Sequence, residues 1–150
     1  MSVVLPIHIL ATIILLGGMF FASVAVRPGT RGLEVDAALV LWHRMLSRFF
    51  AWASVSMLLI LVTGIGMVFL KFGGFSGVPA IHRGNMAIGL PAIALYAYVY
   101  FGPWQRYNET LSRGDWIAAQ KNITRVRTLM AIVLALGLVA SAVSAAGRYL

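Results

Sequence analysis

The chain has 150 residues, 61% of them apolar and only 11% charged, with a net charge of +8; soluble domains average about 45–50% apolar and about 25% charged. That balance excludes a water-soluble globule, a disordered tail and a nucleic-acid-binding module, so the excess of Lys and Arg needs a membrane explanation. With no cysteine, disulfides, thiolate metal sites, iron–sulfur clusters and covalently attached haem are excluded, and His, Met and oxygen remain as ligands.

In chain order, four apolar stretches emerge at about 3–26, 49–70, 81–101 and 129–146. Each approaches the roughly 20 residues that cross about 30 Å of hydrocarbon as a helix. The expected fold is therefore all-α, a single four-helix transmembrane bundle over 1–150 with no soluble domain left over. Only Met1 and Ser2 precede the first span. It lacks the basic region of a cleaved signal and is expected to stay in the mature protein.

The first connection and its flanks carry Arg27, Arg31, Arg44 and Arg48, and the third carries Arg106, Arg113, Lys121, Arg125 and Arg127. The opposite side has Lys71, Arg83 and Arg148. The asymmetry predicts cytoplasmic first and third connections, with both termini outside. Aromatic residues gather at the expected inner boundaries, Trp42 to Trp52 and Tyr98 to Trp104, as interfacial rings prefer. Residues 72–79 read as a glycine-rich outer turn. After Gly114, Asp115 caps a short cytoplasmic helix that precedes the fourth span.

Polar side chains within the spans mark the faces that avoid lipid. His8, Thr12, Met19 and Ser23 share one face of span one; Ser56, Thr63 and Met67 share one of span two; His82, Asn85, Met86 and Gly89 share one of span three, continued by Tyr96 and Tyr100. Span four offers small residues, Gly137, Ser141, Ser144 and Ala145, which allow close approach. No Asp or Glu lies in a span, which argues against a carboxylate proton relay.

Spans one and three both start outside, so His8 and His82 are expected at a similar depth on inward faces, with Met86 one turn below His82 and Met67 near the outer end of span two. Two facing imidazoles can supply both axial positions of haem b, and Arg83 and Lys71 stand where propionates would emerge. That arrangement points to electron transfer or to quinone- or porphyrin-linked redox chemistry. A second reading uses His8, His82, Met67 and Met86 as an outer copper site. A third is a non-catalytic accessory or assembly subunit of a larger membrane complex, with lipid and a partner complex or redox partner as its contacts. The plainer reading of each histidine is an interfacial, hydrogen-bonded side chain, and of Met19, Met57, Met67 and Met86, packing. His43 lies on the other side of the membrane.

Several of these residues carry a family resemblance. The run from His8 to Ala22, Arg27-Pro28, Phe49-Phe50, Ile81-His82, Ala87 to Leu90, Ala97 to Pro103, Gly114-Asp115-Trp116 and the tail 125–150 together resemble the copper resistance protein D (CopD) domain family of small bacterial membrane proteins. The plan is also similar to that of the HemJ-type protoporphyrinogen oxidases, which bind haem b. The resemblance implies a four-helix bundle in the bacterial inner membrane, with haem b or copper as cofactor. His8 and His82 fall on the two histidines of the HemJ pattern, whereas the Lys of its His-x-Lys is Gly84 here.

Overall fold

A computed structural model describes residues 3–147; Arg148, assigned above to the outer side, lies outside the described residues. Among these residues the structure is entirely helical. Four helical segments, Val4–Gly29, Val35–Phe72, Ala80–Ser112 and Trp116–Ala146, are long and apolar enough to cross a membrane. We label the helices α1 (Val4–Gly29), α2 (Val35–Phe72), α3 (Ala80–Phe101), α4 (Pro103–Ser112) and α5 (Trp116–Ala146). They alternate in direction, so the bundle has a basic end, bearing Arg27, Arg44 and Arg127, and a far end, where the 72–79 turn lies.

The connections follow from local chemistry. The last part of α1 widens into a π-helical turn, Ala22–Val26, just ahead of Arg27-Pro28; Pro28 has no N–H for the carbonyl one turn back, and a widened turn accommodates that loss. At the far end Gly73 ends α2 in the left-handed region, at φ 66°. Its N–H reaches the Phe69 carbonyl at 3.2 Å and Gly74 N–H reaches that of Val68 at 3.1 Å, closing the helix as glycine does at this position. Between α3 and α4 Gly102 takes a non-helical conformation, φ −106° and ψ −94°, in which any Cβ would crowd the Tyr98 carbonyl oxygen at 2.9 Å, and Pro103 then opens α4 at the first-turn position that tolerates it.

Two helices run far beyond their apolar stretches. The 38 residues of α2 rise about 57 Å and the 31 of α5 about 46 Å, against about 30 Å of hydrocarbon. The helix capped by Asp115, whose carboxylate accepts from Ala118 N–H at 3.1 Å, is not a separate element: it continues unbroken into the fourth span. Helix α4 was not anticipated from the sequence. It packs on the overhanging parts of α2 and α5, and Tyr107, fully buried, donates its hydroxyl to the Leu39 carbonyl.

These overhangs decide where the core sits. Leu39, Trp42, Leu46, Trp104, Tyr107, Ala119 and Ile123 are buried at the basic end, and Met19, Phe50, Val99 and Val126 continue the core to mid-bundle. Phe50 is the hub, with ring centroids 4.8 Å from Trp104, 5.7 Å from Tyr100 and 6.0 Å from Tyr96. Beyond mid-bundle, tight packing thins out. The backbone of α1 packs against α2 and α5, and that of α3 against α5. Between α2 and α3 the links are side chains: besides the Phe50 ring against Tyr96 and Tyr100, Ser54 meets Tyr96 (3.0 Å between oxygens) and Phe72 meets His82.

Candidate functional site in the far half

His8 projects from α1 toward α2, half-buried, with Nδ1 at 2.7 Å from Thr63 Oγ1. The Thr63 hydroxyl donates to the Leu59 carbonyl, so its oxygen is the acceptor and His8 Nδ1 carries the proton. The lone pair is thereby left on Nε2, free for a ligand, which is the usual way a partner on one imidazole nitrogen aims the other. The ring lies beside Gly64, where a Cβ would stand in ordinary contact, 3.6 Å from His8 Cε1, with nothing else within 4 Å.

Met67, half-buried, is one turn beyond Thr63 and therefore on nearly the same face of α2. On α3, Asn85, Gly89 and buried Tyr96, spaced by four and seven residues, share a side. A Cβ on Gly89 would meet nothing within 4 Å, so open space adjoins this face. The Asn85 Oδ1 atom is buried and has no hydrogen-bond partner. Met86 is half-buried and His82 is exposed at the start of α3, its ring 5.2 Å from that of Phe72 in an edge-on arrangement. Lys71 Nζ sits 5.2 Å from the same Phe72 ring, and Arg83 is exposed beside His82. His82, Lys71 and Arg83 thus occupy the rim at the far end.

These contacts set depths. His82 meets Phe72, whereas His8 meets Thr63, nine residues down α2 and about 13 Å lower along its axis. The Met67 and Met86 positions fall between, five residues from Phe72 and four from His82, or about 6–8 Å below the rim. The expected matched depth of His8 and His82 does not appear. Counting residues from the starts of the two spans misplaces them because α1 begins deeper along α2 than α3 does: Val4 is only four residues above His8 at the Thr63 level, whereas Ala80 starts α3 two residues before His82 at the Phe72 level. The imidazoles form the two ends of a descending series, with the thioethers between them.

An iron needs its two axial nitrogens on one line a few ångströms apart, and this offset does not provide that. His8 and His82 therefore do not fit a shared haem b, and a propionate role for Lys71 and Arg83 loses its basis. Among the described residues, no three His, Cys, Asp or Glu side chains converge as a metal cage, so donors at any one level would be few and would include Met sulfur. His43 is structural. It stacks on Trp104 with centroids 5.9 Å apart and planes at 17°, at the basic end. Tyr96 and Tyr100, stacked at 6.5 Å, belong to the aromatic floor beneath the series.

Sequence reasoning did not pair His8 with Thr63, although the Phe49, Ser56, Thr63 spacing of seven is the signal of a face turned to one neighbour: the Phe49 ring indeed reaches Gly18 of α1. It named Asn85 only as part of a stripe, since an unpartnered oxygen is visible only once neighbours are in place.

A family model described as copper resistance protein D matches residues 43–146, which takes in α2 from His43 onward, α3, α4 and α5 and leaves α1 with His8 outside. No curated protein and no solved structure matches the chain, and likeness to the HemJ-type enzymes has no counterpart among these findings. With more than two thirds of its length matched, this all-helical multi-pass membrane chain belongs to the copper resistance protein D (CopD) family.

Proposed function

We propose that the chain binds copper and passes it through the outer half of the bacterial inner membrane, with the far end of the bundle facing the periplasm. The supporting observation is the descending series of donors: His82 at the rim, Met67 and Met86 about a turn below, and His8 Nε2 lower still, in a chain of the copper resistance protein D family. Thioether and imidazole donors in small number suit Cu(I), a soft ion, better than hard divalent cations. A path needs sites that are each weak enough to release the ion to the next, as conduction through multi-site pores requires. Sparse donors at separate depths meet that need, and a single cage does not. The buried aromatic hub around Phe50 closes the lower end of the path, so release toward the cytoplasm requires movement there or a partner.

The test is Cu(I) binding to the detergent-purified full chain, by competition with a chromophoric chelator, for wild type, His82→Ala, Met86→Leu, Met67→Leu and His8→Ala. The expected result is loss of part of the bound copper in each variant, with His82→Ala slowing loading and His8→Ala removing the slowly exchanging fraction. Undiminished copper in a His8→Ala/His82→Ala double variant overturns the proposal. The same samples, expressed with adequate haem, give a visible spectrum; a reduced b-type band lost in His8→Ala and in His82→Ala would also overturn it, in favour of haem.

A further inference from the structure

At the basic end a groove of about 480 Å³ opens between the end of α1 and the outer side of α5. Arg27 and Arg127 flank its mouth together with Thr124 and Thr128, and Ala131, Ala135 and Val139 continue it along α5. Both guanidiniums line the same groove, yet none of the four carboxylates of the chain, Glu34, Asp36, Glu109 and Asp115, lines it. Arg127 is held in place, with Cζ 4.9 Å from the Trp42 ring centroid, and its Nε is buried without a hydrogen-bond partner. The hydroxyls are already committed, Thr124 to the Gln120 carbonyl at 2.8 Å and Thr128 to the Thr124 carbonyl at 3.0 Å. What the mouth offers is two forked cations seeking an anion.

We propose that this groove is a binding site for an anionic glycerophospholipid, with its phosphate between Arg27 and Arg127 and one acyl chain along Ala131, Ala135 and Val139. Guanidinium forks match phosphate oxygens in pairs, and an anion between two like charges removes their repulsion. The apolar floor argues for lipid over free phosphate: from Arg127 to Val139 the helix rises about 18 Å, close to the depth of one leaflet, about 15 Å of hydrocarbon. Ala131 and Ala135 leave space between the larger Ile132, Leu136 and Val139 along the floor, and its position at the basic end is where positive-inside topology places the anionic cytoplasmic leaflet.

Native mass spectrometry of the full chain in detergent tests this, after equilibration with phosphatidylglycerol, with phosphatidylcholine of the same acyl chains, with glycerophosphoglycerol and with inorganic phosphate. Wild type is expected to retain phosphatidylglycerol over phosphatidylcholine by about fivefold or more, the scale of one basic residue near an anionic surface. Arg27→Gln, at an exposed position, removes most of that preference, and Arg127→Lys, which keeps the charge but not the fork, removes part of it. Ala135→Phe fills the groove and lowers lipid retention, while Arg83→Gln at the far rim changes nothing. Full preference in Arg27→Gln, an equal loss in Arg83→Gln, or binding of phosphate or glycerophosphoglycerol as strong as that of the lipid and indifferent to Ala135→Phe would each overturn the proposal. These readouts involve no copper and stand whether or not the copper path does.

Discussion

His8 donates from Nδ1 to the Thr63 hydroxyl at 2.7 Å, and the Thr63 hydroxyl in turn donates a hydrogen bond to the Leu59 carbonyl. This hydrogen-bond chain fixes one imidazole tautomer, ties α1 to α2, and leaves the Nε2 lone pair unused. Replacing Thr63 by Val keeps the shape and removes the hydrogen-bond chain. The expected cost is about 1 kcal/mol, that of one net hydrogen bond with a partner left half-exposed. In long-range proton–nitrogen spectra of histidine-labelled protein, wild-type His8 appears as the Nδ1-protonated tautomer and Thr63→Val loses that preference.

Asn85 leaves a buried carbonyl oxygen unpaired, and such a group carries a desolvation penalty of about 1–3 kcal/mol. Asn85→Leu, similar in size, should therefore raise the thermal midpoint. If Asn85 lines the copper path, the same change slows Cu(I) loading, so thermal unfolding and chelator competition move in opposite directions.

Gly102 sits where the third span turns into α4, and a Cβ would crowd the Tyr98 carbonyl at 2.9 Å. Backbone offers little give, so Gly102→Ala is expected to cost about 1–3 kcal/mol, the range for overpacking. Denaturant unfolding followed by Trp104 fluorescence, with the other tryptophans replaced, checks it.

Tyr107 anchors α4 to α2 through its bond to Leu39. Tyr107→Phe preserves the ring that stacks near Trp104, at 5.6 Å between centroids, and loses about 1 kcal/mol. Hydrogen exchange should quicken in Pro103–Ser112 and leave the far half unchanged; a uniform increase would mean that α4 does not act as a local clamp.

Hydropathy alone located four spans, because a stretch of some 20 apolar residues has no other stable home and leaves its backbone no partner but itself. The polar stripes likewise put His8, Thr63, Met67, His82 and Met86 on definable faces, and the Gly73-Gly74 turn and the Asp115 cap were readable from short-range rules. Depth and partnership were not. Whether His8 faces His82 or Thr63 depends on the axial stagger of α1 against α2, and stagger is set by the fit of side chains such as Phe49 against Gly18, information shared between distant segments. Apolar stretches also marked where lipid begins but not where helices end: the overhangs of α2 and α5 persist past the membrane because α4 covers them, and that cover exists only once the chain has folded back on itself.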